Sequence, residues 1–137
     1  MANTAPITPL TPNNGAVKLT NSSPTADTDH TGTNSLLLFT AGTYGSIVDK
    51  ITLTPTGTNA AQVIRIYYSN DAGTTKYLRK EFAFAATTTS DTVAQPAQEW
   101  ACNWALDPND RLYVSQNALV GSGTNSGMVV IAEGGDY

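Results

Sequence analysis

From Ser35 onward the chain breaks into short apolar or alternating runs punctuated by turn residues. Ser35–Thr40 (SLLLFT) is continuously apolar at its centre and stops at Ala41-Gly42-Thr43-Tyr44-Gly45. Ser46–Thr54 (SIVDKITLT) runs to Pro55, with Gly57 behind it. Gln62–Tyr68 and Lys76–Phe84 flank Asn70-Asp71-Ala72-Gly73, whose Asp and Gly suit the tight reversal of a hairpin. Further strands are predicted at Glu99–Leu106, Arg111–Gln116 and Met128–Glu133, separated by the Asp107-Pro108-Asn109-Asp110 turn and a loop over Ala118–Gly127. With a short strand at Ala16–Thr20 the count reaches about eight, and no stretch carries the 3.6-residue period of a helix. Short strands and frequent turns predict an all-β fold, an antiparallel β-sandwich of jelly-roll type, because that architecture hides sheet edges.

Strand phase follows from the same alternation. Ile64, Ile66 and Tyr68 share one face of their strand and Arg65 and Tyr67 the other, while Leu78, Phe82 and Phe84 alternate with Tyr77, Arg79 and Glu81. One face of the hairpin is therefore expected in the core and the other in water. Ile66, Phe82, Leu112 and Ile131 are the expected core residues.

Residues 1–34 differ in texture. They are rich in Pro, Thr, Asn and Asp, and Pro6, Pro9, Pro12 and Pro24 exclude helix and all but an edge strand. Ile7, Leu10, Val17 and Leu19 are the main apolar anchors, and burying each contributes about 2 kcal/mol. Ordering the segment costs on the order of 1 kcal/mol per residue, more than four anchors supply. The sequence thus divides into an extended N-terminal arm, 1–34, and a β-sandwich domain, 35–137. The arm is expected to order on a neighbouring chain through Ile7, Leu10, Val17 and Leu19.

Composition sharpens this picture. Only 13% of the 137 residues are charged, the formal net charge is −4, and Thr, Asn, Ser and Gly fill the difference. Neutral hydroxyls and amides desolvate more cheaply than Lys or Glu, which suits a surface that packs against other proteins. The seven basic residues read as scattered along the chain, which argues against nucleic acid as a partner. No apolar run reaches the length of a membrane span, and the N-terminal MANTAPITPL has neither the basic nor the apolar region of a secretory signal, so folding in a cytoplasm is expected. Cys102 is the single cysteine and can form no intrachain disulfide.

Candidate chemistry is sparse. His30 is the only histidine and lies within the arm, so any nucleophile–base pair must be built around it. Asp27-x-Asp29-x-x-Gly32 faintly matches the first half of a calcium loop, but it lacks the closing glutamate and fits an Asx turn better. No second thiol or histidine neighbours Cys102 to make a zinc site. The expectation is no enzyme activity, no cofactor and no metal. Trp100 and Trp104, four apart, face the same way in an extended segment. They read as core or interface aromatics, with a sugar-stacking platform as the alternative.

The run Leu38-Phe39-Thr40-Ala41-Gly42-x-x-Gly45-Ser46-x-Val48-x-x-Ile51, followed by Thr56-Gly57-Thr58 and Val63-Ile64-Arg65-Ile66, resembles a group of small tailed-bacteriophage virion proteins. The C-terminal Ala132-Glu133-Gly134-Gly135-Asp136-Tyr137 is similar to the way those chains end. The resemblance spans Leu36–Glu81 and the last six residues, and it leaves the arm and the Trp100–Trp104 segment uncovered. It implies a structural part of a phage particle, foremost a capsid decoration or cement protein on the outside of the head. The implied partners are the major capsid protein and further copies of the chain in a dimer or trimer, with no nucleic acid and no membrane. A tail or fibre module that binds host-surface carbohydrate is the rival reading, and a small hydrolase a poor third.

Overall fold

The computed structural model describes residues 11–121 and 125–137, and among them the alternating runs become nine strands and no helix. In chain order these are β1 (Thr11–Thr20), β2 (Leu36–Thr40), β3 (Ser46–Thr56), β4 (Gln62–Ser69), β5 (Tyr77–Phe84), β6 (Gln98–Trp100), β7 (Trp104–Leu106), β8 (Arg111–Gln116) and β9 (Gly127–Asp136). One sheet has the order β1-β9-β3-β6 with β7 also on β3, and the other β2-β8-β4-β5. All the ladders are antiparallel. Both β6 and β7 lie against β3, so together they take the place of one interrupted strand. The eight positions that result pass back and forth between two sheets, except at the β4–β5 hairpin within one sheet, in the order of a jelly roll, which is the predicted sandwich.

The core lies between the sheets. From the first sheet it takes Leu19, Val48, Ile51, Leu53, Met128, Val130 and Ala132, and from the second Phe39, Ile64, Ile66, Phe82, Phe84, Leu112 and Val114, with Leu38 and Val120 added. A bulge at Leu38 lets Leu38 and Phe39 both turn inward, so the continuous apolar run of β2 does not need two wet faces. At one side of the sandwich β1 closes directly on β2. A side chain at Gly15 would place its Cβ 1.8 Å from the Leu38 carbonyl oxygen, so only glycine permits the approach. Asn13 Nδ2 donates to the Thr40 carbonyl at 3.0 Å across the same seam.

The structure corrects four expectations. Residues 11–34 are part of the sandwich of their own chain. All ten residues of β1 pair with β9, from Thr11 opposite Asp136 to Thr20 opposite Gly127. Among the described residues β1 is hydrogen-bonded to β9 alone, which tolerates Pro12 as a central strand would not. Leu19 is fully buried and Val17 packs on the core, so neither is free to anchor a second subunit, while Ile7 and Leu10 lie outside the described residues.

Second, the outer face of β4 is not wet, because residues 21–34 cover it and bury Arg65 and Tyr67. Third, Leu78 is 41% exposed. Ile66 pairs with Lys80 but Tyr67 with Leu78, so Arg79 is an extra residue that inverts the phase of β5 before it. Fourth, β9 faces the core with Met128, Val130 and Ala132, which leaves Ile131 half-buried on the outer side, whereas Ile66, Phe82 and Leu112 are core residues as expected.

Candidate interaction surface

Two clusters of polar and aromatic side chains stand out, one on the covered face of β4 and one at the free edge of β5. The first is centred on Asp27, which is 1% exposed. Its Oδ2 accepts from the Tyr67 hydroxyl and from Ser115 Oγ, the latter at 2.8 Å. The Asp27 main chain donates to the Gln116 carbonyl and accepts from Arg65 Nη1 at 2.6 Å. Gln116 Nε2 in turn donates to the carbonyls of Thr20 and Pro24, so the 21–34 segment is stitched down along its first half.

Arg65 Nε donates to Glu81 Oε1 at 2.8 Å, and Nη2 stands 2.9 Å from His30 Nε2. A guanidinium has only donors, so this imidazole nitrogen accepts. His30 holds a left-handed backbone at φ 61°, and Gly32 follows at φ 71° with its Cα against the Tyr67 ring. A side chain at Gly32 would meet that ring at 3.1 Å. Asp29 accepts from the Thr31 N–H and hydroxyl, which is the Asx turn, and Asp27 points away from it into the sheet. These hydrogen bonds hold the Asp29 carboxyl below its ordinary range.

Among the side chains of the cluster only Gln116 Oε1 is a buried polar atom without a partner among the described residues. A Ser–His–Asp relay needs the imidazole between hydroxyl and carboxylate. Here the Ser115 hydroxyl sits on the carboxylate itself and His30 sits on Arg65. Burial, reinforced by the Asp27 carboxylate, holds the Tyr67 phenol well above its ordinary range, so it stays a donor. The arrangement fixes the 21–34 segment on the sheet.

A smaller cluster joins the two chain regions at β1 and β9. Asp136 accepts from Ser46 Oγ and from Asn13 Nδ2 at 2.7 Å. Burial opposes its ionisation, but the bonds from Ser46, Asn13 and the Gly42 N–H outweigh burial and hold the carboxyl low. Tyr68 donates to Asp110 Oδ2 at 2.8 Å, and burial followed by that carboxylate pushes the phenol up to about 12.

The β5 cluster is built differently. Trp100 and Trp104 share a face, but not through an extended segment: residues 101–103 leave the strand, with Asn103 at φ 43°, and the two indoles are set side by side by pairing with Ile51 and Val48 of β3. Their centroids are 6.3 Å apart, with Tyr68 5.4 Å from Trp104 and Phe82 6.2 Å from Trp100. Both indoles are half-buried and pack on the rim of the core. The Arg79 guanidinium lies over both rings, 5.6 Å from Trp100 and 5.1 Å from Trp104, and the Lys80 ammonium lies 5.9 Å from Trp100. One face of each indole is thus covered by cations rather than bare for a sugar.

Around these rings Tyr77 is 54% exposed, and every residue of β5 from Tyr77 to Glu81 faces solvent. Neither Arg79 nor Lys80 pairs with a carboxylate among the described residues. Cys102 sits behind this rim. Its thiol donates to the Val48 carbonyl at 3.2 Å, and burial pushes its pKa up.

Composition alone misses this surface. Lys76, Arg79 and Lys80 fall within five residues, but only the bulge at Arg79 turns that side chain over the indoles. Lys76 goes to the other face, over Tyr113 and onto the Gly32 carbonyl.

No family model matches the chain, and no curated protein matches it. Among solved structures it is similar to a chain of the cyanophage Pam1 capsid asymmetric unit, at 17% identity and a TM-score of 0.46, covering 100% of this chain and 92% of that one. It is also similar to the Eiger TNF of S. frugiperda, at 12% identity and a TM-score of 0.46, covering 94% and 95%.

Proposed function

We propose that this chain is a structural protein of a tailed-bacteriophage virion, and within that class a decoration or cement protein. It binds the head exterior through protein–protein contacts, with the major capsid protein as partner and as a homo-oligomer. The observation that carries this reading is the division of labour between the two clusters. The buried ionisable groups around Asp27 are spent on the fold, whereas the exposed cations of β5, Arg79 and Lys80, meet no carboxylate among the described residues.

A jelly roll with few charges and such an edge is suited to binding other proteins, since aromatic residues and arginine dominate the energetics of protein interfaces. The stretches that resemble phage virion proteins run through β2 to β4 and on to Glu81 of β5, and take in the end of β9, so they include the β5 half of this surface and leave out its Trp100–Trp104 half. The carbohydrate-binding alternative requires bare ring faces, and Arg79 occupies them.

Copy number tests the proposal. In purified particles, quantitative mass spectrometry should find the chain in fixed proportion to the major capsid protein, as a capsid lattice dictates. A handful of copies per particle together with a saturable glycan site would overturn it in favour of a tail module.

A further inference from the structure

Among the described residues the edge of β5 is an open ladder position. Val63 on β4 spends its N–H on Asn117 Oδ1 and its carbonyl on the Asn117 N–H, both toward β8. Ala83 lies opposite Val63, so its own N–H and C=O point away from β4 to the free side. Gln98 Nε2 indeed reaches the Ala83 carbonyl there, at 2.7 Å, and caps that end. By the two-residue period Glu81, opposite Arg65, presents its backbone to the same free side. Edge strands of this kind are normally blunted by charge, bulges or cover. β5 has a bulge and two lysine or arginine side chains, yet the bulge also gathers those cations on the aromatic rim beside exposed Tyr77 and Leu78.

We propose that β5 accepts an extended acidic polypeptide segment of another protein as an added strand, with its carboxylates on Arg79 and Lys80. Charge decides the occupant. In a chain of net charge −4, Arg79 and Lys80 are cations without a carboxylate partner among the described residues. Rings beneath a guanidinium hold it in place while leaving its N–H edge free for bidentate carboxylate bonds. An open backbone edge supplies affinity that does not depend on sequence, and the flanking side chains supply choice, as in other strand-addition sites. A second copy of this chain, acidic overall and with the same cations on its own β5, would set like charges against each other in a symmetric β5–β5 pairing. This site is the surface on which the virion reading rests, and a failure of strand addition leaves that reading to be judged by copy number alone.

The test uses the full chain, isotopically labelled, with a short peptide of alternating valine and glutamate as probe. An alternating valine and lysine peptide and an oligogalacturonate serve as controls. The acidic peptide should bind with affinity that falls as salt rises, and should slow amide hydrogen exchange at Glu81 by about tenfold or more at saturation. Arg79→Ser combined with Lys80→Ser should weaken binding by about tenfold. Equal binding of the basic peptide would overturn the proposal. Binding that leaves the Glu81 amide unprotected would also overturn it, by showing charge attraction without strand addition. Protection of the same amide by the oligogalacturonate would point to a polyanion of any backbone and overturn it likewise.

Discussion

Arg65 and Arg79 belong to the two paired strands β4 and β5 of one sheet, and they live in opposite circumstances. Arg65 is buried and reaches Glu81, the Asp27 carbonyl and the His30 imidazole. Arg79 is exposed and reaches only the faces of two indoles. A buried guanidinium is tolerable only when its donors are met, so the fold must supply partners, and the 21–34 segment does so. An exposed guanidinium over aromatic rings remains largely hydrated and keeps its hydrogen-bonding edge for others. One arginine therefore marks where the chain holds itself together, and the other where it is open to contact.

The largest effect expected from breaking this contrast is removal of the cover. Deleting residues 1–34 removes β1, the buried Leu19 and Asp27 together, and strips Arg65 and Tyr67 of their lid. The shortened chain should lose cooperative unfolding and amide dispersion in the NMR spectrum. A well-folded product would mean that the segment merely rests on the sheet.

Next in size is Asp27→Ala, which leaves the buried Tyr67 and Ser115 hydroxyls without their acceptor. Stranding two buried donors costs about 3 kcal/mol, visible as a lower urea midpoint at unchanged slope. A midpoint equal to wild type would show that water replaces the carboxylate.

How much of this was legible in the sequence depended on whether a residue's partner was local. Turn chemistry marks the strand ends, and alternation marks Ile64, Ile66 and Phe82 as inward, because both signals lie within a few residues. Bulges are not local in that sense. The extra residue at Arg79 is defined by the register against β4, and with it Leu78 turns outward and the indoles gain their cover. In β9 both Val130 and Ile131 are apolar, so alternation cannot choose between them, and the pairing with β3 puts Val130 inside. The N-terminal segment failed for a different reason. Counting anchors charged the whole ordering cost to four apolar residues, whereas ten ladder pairs to β9 and the Asp27 hydrogen bonds meet much of it. Two of those anchors, Val17 and Leu19, serve the core of their own chain. The candidate surface was legible only as two tryptophans four apart.

A smaller effect is expected at the seam of β1 and β9. The Asp136 carboxyl is held low in the folded state, so the unfolded chain binds its proton more readily. Its contribution is fully present above the ordinary carboxylate pKa of about 4 and fades as pH falls through the lower folded value. Asp136→Asn should cost about 1 kcal/mol near neutral pH, the ordinary net value of a hydrogen bond. The gap between the two proteins in thermal melts should narrow as the pH is brought below about 4. A gap independent of pH would assign the loss to geometry rather than to charge.

The smallest effect on stability is expected where the effect on binding is greatest. Replacing Arg79 and Lys80 by serine removes two exposed cations from the faces of Trp100, Trp104 and Phe82, worth about 0.5 kcal/mol for each cation. It also relieves the repulsion between two neighbouring positive groups, which acts in the opposite direction. Neither side chain meets a buried acceptor, so nothing is stranded by the change. The net shift in unfolding free energy should stay within about 1 kcal/mol, and tryptophan fluorescence should respond as the indoles meet more water. Arg65→Ser is the matched control on the neighbouring strand. It leaves Glu81 unpaired and the Asp27 carbonyl without its donor, and should cost about 3 kcal/mol. Similar losses for the two substitutions would erase the distinction between an arginine that serves the fold and one held ready for a partner.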